Sequence, residues 1–217
     1  MLREKDRSPL DPAARQLIEP FLRQVARWLD QPWVSPEQIT IAGLVLGLGS
    51  ATAAGLQIWT AALVLWLLSR LADGLDGPLA RRRAAAGRSD AGAGAGGFLD
   101  ISADFGVYGI SVLGVAFGTS QALGTSLWPF LIVLVAYYVN GATVLAFSSI
   151  AEKSSRQIED DRSLSFMPGW AGGTETILVH GLWLALPQFA GQLALFWAAI
   201  VGINAIRQIV VGYRRLS

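Results

Sequence analysis

Residues 105–150 read FGVYGISVLGVAFGTSQALGTSLWPFLIVLVAYYVNGATVLAFSSI, without one Asp, Glu, Lys or Arg. A helix crosses the roughly 30 Å hydrocarbon core of a bilayer in about 20 residues. The run is therefore too long for one ordinary crossing and suits two, with a break where Ser120, Gly124 and Pro129 gather. Residues 38–69 and 176–206 are charge-free in the same way, with breaks at 55–60 and 187–192. Three helical hairpins follow. The expected crossings are approximately 38–56, 60–80, 96–119, 128–150, 170–187 and 192–211.

Composition supports the same class. Of 217 residues, 53% are hydrophobic and 15% are charged, whereas a soluble domain carries about 25% charged residues. A soluble bundle of six buried helices is the competing reading, but too few charges remain to cover its outside. The net charge of +1 gives no strong field toward nucleic acid, and no nucleic-acid partner is expected. With no cysteine, the chain has no disulfide, thiolate metal site or cysteine nucleophile. The charged residues 1–30 do not resemble a cleavable signal peptide.

All 17 Lys and Arg residues lie outside the three breaks, in the N-terminal arm, around 70–88, in 153–162 and in 207–215. The positive-inside rule then places both termini and the two charged loops in the cytoplasm. In the arm, Ala14, Leu17, Ile18, Phe21, Leu22, Val25, Trp28 and Leu29 recur at three- and four-residue spacing. Arg15, Arg23, Gln24, Arg27 and Asp30 occupy much of the other side, which describes an amphipathic helix within 12–33. It lies either on the membrane surface with its basic side toward anionic lipid or against the bundle. The expected fold is thus all-α and polytopic, with a 1–37 arm carrying a surface helix and a six-helix domain over 38–217. Gly43, Gly47, Ala51 and Gly55 form a small-residue stripe that allows close helix packing. Trp33, Trp59, Trp128 and Trp170 fall near expected helix ends, as interfacial tryptophans do.

Four aspartates adjoin these apolar runs. The first motif is Asp73-Gly-Leu-Asp76-Gly77-Pro-Leu-Ala80-Arg81, and the second is Gly96-Gly-Phe-Leu-Asp100-Ile-Ser-Ala-Asp104. Spacings of three and four put each pair on one helix face, and a hairpin returns the two pairs to the same side of the membrane. Carboxylates gathered there repel one another, and one or two divalent cations relieve that repulsion. Ligands that are all oxygen favour Mg2+ or Mn2+ over zinc. Gly77, Ala80, Gly96 and Gly97 leave room for a bulky anion, and Arg81 offers a forked donor to phosphate. Metals flanked by an arginine suit attack at phosphorus.

Together these motifs resemble the signature of the CDP-alcohol phosphatidyltransferases. The resemblance implies a six-helix membrane enzyme, homodimeric, in the bacterial inner membrane. It implies phosphatidyl transfer from CDP-diacylglycerol to a small alcohol acceptor with release of CMP, as a step of phospholipid synthesis. By motif position Asp73, Asp76 and Asp100 would be metal ligands for two ions, and Asp104 would complete the metal site and act as general base. Asp76, Gly77, Ala80, Arg81 and Gly96 would line the cytidine diphosphate site. Residues 82–95 make the spacing between the motifs longer than is usual in the family. Their arginines, Arg82, Arg83 and Arg88, read as a flexible basic loop or as a lid or phosphate contact.

Outside the signature, Lys153, Arg156, Glu175 and Arg207 are candidates for acceptor or phosphate contacts. Lys153 and Arg156 also serve as topological anchors in the simpler reading, and Glu175 and Arg207 also suit a structural ion pair. Asn140 suits an interhelical hydrogen bond, and the lone His180 suits packing. Glycerol 3-phosphate leads among the acceptors, with inositol, its phosphate and serine behind it. A transferase using a CDP-linked small alcohol and a lipid hydroxyl is an alternative, as is a divalent-cation transporter or scaffold.

Overall fold

The computed structural model describes residues 11–88, 93–153 and 171–216. It is all helical among them: α1 (Asp11–Leu29), α2 (Pro36–Gly55), α3 (Trp59–Ala85), α4 (Ala93–Leu123), α5 (Trp128–Lys153), α6 (Gly173–Ala185) and α7 (Ala190–Leu216). A single 3₁₀ turn, Pro187–Phe189, joins the last two.

Local chemistry explains the boundaries. Ser35 Oγ accepts the Gln38 backbone N–H at 3.1 Å, and Gln38 Oε1 accepts the Ser35 N–H at 2.9 Å. Pro36 follows at the first helical position, where its missing N–H loses nothing. Gly87, at φ +68°, ends α3 with its N–H on the Ala84 carbonyl, and Gly124, at φ +67°, closes α4. Both turns need the left-handed conformation that glycine adopts without strain.

Packing divides the helices into two groups. α2 lies along α3 and α4, α5 lies along α7, and α6 sits against α3 and α7. The small-residue stripe is buried at the first of these contacts. A methyl added at Gly47 would fall 2.6 Å from a Val107 methyl, and one at Gly114 or Gly118 would strike the backbone of Ala51 or Ala54. One continuous core joins the groups, with Trp66, Val112, Phe130, Trp183 and Ala194 fully enclosed.

The outward faces are apolar as well. Val45, Leu67, Phe117, Val135, Phe196 and Ile206 are all exposed. So broad an apolar surface belongs in lipid, where helices satisfy their own backbone groups. Among the described residues four helices are long and apolar enough to cross a membrane: 36–55, 94–123, 128–151 and 187–216. α3 has the length but carries Arg70, Asp73 and Asp76. α6, expected over 170–187, has only 13 residues. The chain is a polytopic membrane protein.

α1 packs against the bundle. Leu22, Val25 and Leu29 meet Ile39, Leu75 and Leu79, while Ile18, Phe21 and Trp28 stay exposed. The segment expected to be a flexible basic loop is instead helical through Ala85. Arg82 Nε and Arg88 Nη2 both reach Asp30 Oδ2 at 2.8 Å, and Arg83 Nε reaches Oδ1 at 3.3 Å. Charge pairing with the turn after α1 thus orders its first part, and Asp30 is held down to about pKa 2, first by Arg88 and then by Arg82. Trp33 and Trp128 are exposed at helix ends as expected, Trp59 packs partly into the core, and Trp170 lies outside the described residues.

Candidate active site

α3 and α4 carry the four aspartates on facing sides. Asp73 faces Asp104, and Asp76 faces Asp100. The hairpin brings the pairs together, as the spacing of three on one helix and four on the other requires. α2 contributes a third wall: Thr40 Oγ1 donates to Asp76 Oδ2 at 2.7 Å. The Asp76 Oδ1 atom accepts the Gly77 backbone N–H at 2.6 Å, which fixes the orientation of that carboxylate.

Arg70 enters this cluster from one turn before Asp73. Its Nη1 lies 2.6 Å from Asp104 Oδ1 and 3.9 Å from Asp73 Oδ1. The side chain is 5% exposed. It is held from three sides: its Nη2 donates to Ser69 Oγ at 3.0 Å, and its guanidinium carbon lies 5.1 and 5.0 Å from the Trp66 and Tyr108 ring centres. Planar guanidinium against aromatic faces is a favourable arrangement that an ammonium reproduces poorly.

Behind Arg70 lies a buried polar chain. His180 stacks on Trp66 with ring centres 4.9 Å apart. One His180 nitrogen bonds Tyr137 Oη at 2.8 Å and the other bonds Ser111 Oγ at 3.0 Å. The Trp197 indole N–H donates to the same Tyr137 oxygen at 2.6 Å. His180 is therefore a packed, hydrogen-bonded core residue. Asn140 likewise accepts from Asn204 Nδ2 at 2.9 Å, an interhelical bond between α5 and α7.

The cytidine diphosphate candidates stand beside the aspartates. A Cβ at Gly77 would sit 3.2 Å from Arg81 Nη1, so the guanidinium lies over the glycine. Ala80 is exposed, and a Cβ at Gly96 would sit 3.5 Å from Glu37 Oε1, which adds a carboxylate from α2 at the rim. Lys153 ends α5, and Arg156 lies outside the described residues. Glu175 accepts the Gly172 N–H at 3.2 Å at the start of α6, and Arg207 is half-buried on α7. α5 touches α4 and α6 touches α3, so both acidic helices have a neighbour carrying one of these residues.

Four carboxylates set against one enclosed arginine leave an excess of negative charge. That all-oxygen donor set fits a hard divalent cation. Among the described residues, however, no three acidic or histidine side chains are gathered closely enough to hold one ion as they stand. The acids form two pairs, one drawn onto Arg70 and one onto Thr40 and the Gly77 amide. Carboxylate rotation would have to close them on an ion. Arg70, Thr40 and Glu37 escaped the sequence reading. Arg70 sits three residues before Asp73, yet an arginine near an apolar helix end reads as a topological anchor.

Known proteins resemble this chain in sequence and in fold. The chain is 35% identical to the inner membrane protein YnjF of Escherichia coli K12, over 96% of this chain and 97% of that one. Two solved structures of the phosphatidylinositol phosphate synthase PgsA1 of Mycobacterium tuberculosis share the fold. The one with CDP-DAG bound is 19% identical at a TM-score of 0.68, covering 88% of this chain and 93% of that one. The one in complex with manganese and citrate is 20% identical at a TM-score of 0.67, covering 88% of each. The description "CDP-alcohol phosphatidyltransferase" matches residues 33–210, a span holding both aspartate pairs, and the chain is an enzyme that belongs to this family.

Proposed function

We propose that the protein transfers a phosphatidyl group from CDP-diacylglycerol to a small alcohol in a bacterial inner membrane, releasing CMP. The observation that carries this reading is the facing of Asp73 with Asp104 and of Asp76 with Asp100 inside the family match. The CDP-DAG bound to the mycobacterial relative supports the donor, and the manganese in its other structure supports a divalent ion. The name of the Escherichia coli relative supports the membrane. The working form is a homodimer with six crossings per chain and both termini cytoplasmic.

In this reading Asp73, Asp76, Asp100 and Asp104 would hold two Mg2+ or Mn2+ ions. When bound, such ions neutralise charge on the phosphoryl oxygens. Arg81 and the open backbone at Gly77, Ala80 and Gly96 receive the cytidine diphosphate. The acceptor oxygen attacks the phosphorus bearing the diacylglycerol group, a new P–O bond forms, and the P–O bond to CMP breaks. Asp104 takes the hydroxyl proton, which requires it within about 3 Å of that oxygen. Arg70 orients Asp104 for this. Lys153, Arg156, Glu175 and Arg207 serve the acceptor side, with glycerol 3-phosphate as the first acceptor to try.

The test is CMP release by purified protein in liposomes, given CDP-diacylglycerol, Mn2+ or Mg2+, and one acceptor at a time. We expect release with one acceptor, reduced about 10²- to 10⁴-fold in Asp104→Asn. Product mass separates this from transfer of a CDP-linked small alcohol to a lipid hydroxyl. No CMP with any acceptor from folded protein would overturn the reading, as would cation uptake that survives Asp104→Asn.

A further inference from the structure

A cleft of ≈ 850 Å³ opens between α1 and the last turns of α3. Arg23 and Arg27 reach it from α1, and Arg81, Arg82 and Arg88 from the other side, against one carboxylate, Glu19. Ala26, Pro78 and Ala85 line it with small apolar surface. The volume suits a small ligand, whose pockets run to about 300–1,000 Å³.

Helix geometry separates this cleft from the acidic site. At about 100° per residue, Pro78, Arg82 and Ala85 fall on the side of α3 away from Asp73, Asp76 and Ala80. Arg81 stands at the boundary, with its guanidinium over Gly77. Nearby carboxylates leave cations over. Glu19 is taken by Arg23 at 3.2 Å, and Asp30 is taken by Arg82, Arg83 and Arg88. Among the described residues neither Arg27 nor Arg81 is ion-paired. Packing of α1 on α3 holds these like charges together, and an anion with several oxygens relieves their repulsion. Arginine forks match phosphate oxygens in particular.

We propose that this cleft binds a phosphate-bearing anion and thereby ties α1 to α3. The anion is either the headgroup of an anionic phospholipid or a free polyphosphate. Exposed Ile18, Phe21 and Trp28 on α1 make the lipid source accessible, and a basic helix at a membrane surface attracts anionic headgroups. Only Arg81 is shared with the residues proposed for the transfer reaction; Arg23, Arg27, Arg82 and Arg88 have no part in it.

The experiment titrates purified protein, without added divalent cation, with inorganic pyrophosphate. In separate arms it titrates with phosphatidylglycerol and with phosphatidylcholine. Retained ligand is read by native mass spectrometry, and the thermal midpoint is recorded. Binding of pyrophosphate alone assigns a free polyphosphate, phosphatidylglycerol alone assigns a lipid headgroup, and binding of both assigns their shared phosphate chemistry. Arg23→Gln with Arg27→Gln removes two exposed α1 arginines that do not touch the aspartates. It should weaken whichever anion binds by at least about tenfold, with the ligand-free midpoint unchanged. Should that double variant be unstable, Arg27→Glu alone gives the same reading. No binding of either anion, equal retention of phosphatidylcholine, or undiminished binding in these variants would overturn the proposal.

Discussion

A guanidinium clasped between Trp66 and Tyr108, and 2.6 Å from Asp104, leaves its surroundings few ways to relax when its charge is removed. Arg70→Met leaves the carboxylates without their cation; breaking a fully buried pair costs about 3–5 kcal/mol, and with Asp104 32% exposed the cost falls below that. It also frees Asp104 to rotate, and misplacement by about 1 Å can cost about 100-fold in rate. We therefore expect a lower thermal midpoint and a fall of that order in kcat for CMP release. Arg70→Lys keeps the charge but loses the fork and the ring stacking, so it should recover part of kcat at an unchanged donor KM. Equal kcat in Arg70→Met and the parent would sink the positioning role. The aspartates themselves were legible because helical spacing converts three- and four-residue intervals directly into shared faces. Arg70 was not, since its role depends on Asp104, 34 residues away. His180 shows the same limit: its bonds to Tyr137 and Ser111 join three helices that no local pattern connects.

Helix pairing follows from how closely two backbones approach, and α2 against α4 is the tightest test. Gly114 and Gly118 face the backbone of Ala51 and Ala54 with no room for a side chain. Gly118→Val forces the helices apart, and such overpacking costs about 1–3 kcal/mol. Its thermal midpoint should drop while Gly94→Ala, where an added methyl meets nothing, leaves it unmoved. The half of this contact on α2 was readable as a four-residue stripe, and Gly114 and Gly118 on α4 stand four apart in the same way, but nothing local says that the two stripes face each other. α1 depends on a different bond. Asp30 has its carboxylate held down to about 2 from the ordinary 3.8 by three arginines. A depressed carboxylate gives its full stabilisation above the higher value and loses it as pH falls through the lower one. Spin labels at Gln24→Cys and Ala84→Cys should report a narrow α1–α3 distance at pH 7 that broadens between about 4 and 2. With Asp30→Asn added, the distribution should be broad throughout; a narrow one at pH 7 would show that apolar packing alone seats α1. The arginines concerned were visible in sequence, but their partner lies more than fifty residues earlier, and the composition of 82–95 alone reads as loop.

The whole molecule raises the question of how many times the chain crosses. Among the described residues four helices have the length and apolarity, and two of the six expected crossings, α3 and α6, do not. α3 is long, and its Arg70, Asp73 and Asp76 point into the site that α2 and α4 wall. α6 is the harder case: 13 residues at 1.5 Å each span about 20 Å, short of the roughly 30 Å hydrocarbon core. A short crossing is met by local thinning of the bilayer or by flanking chain. The charge-free run at 176–206 suggests two crossings there, but nothing in its composition marks α6 as only 13 residues long. The absence of cysteine makes the count directly measurable with single introduced thiols. Gln57, Ser126 and Gln188 occupy the three uncharged turns and are exposed, as are Arg88 and Arg214 at the charged ends. With six crossings, Gln57→Cys, Ser126→Cys and Gln188→Cys react with a membrane-impermeant maleimide in cells whose outer barrier is opened. Arg88→Cys and Arg214→Cys react only after the inner membrane is permeabilised. Gln188→Cys carries the argument, because its side is set by whether α6 crosses. Protection at Gln188 with labelling at Ser126 would make α6 a re-entrant or peripheral helix. It would also carry the far end of α7 to the membrane face opposite the aspartates, and with it Arg207 and its proposed acceptor contact, so that Arg214→Cys would label before permeabilisation.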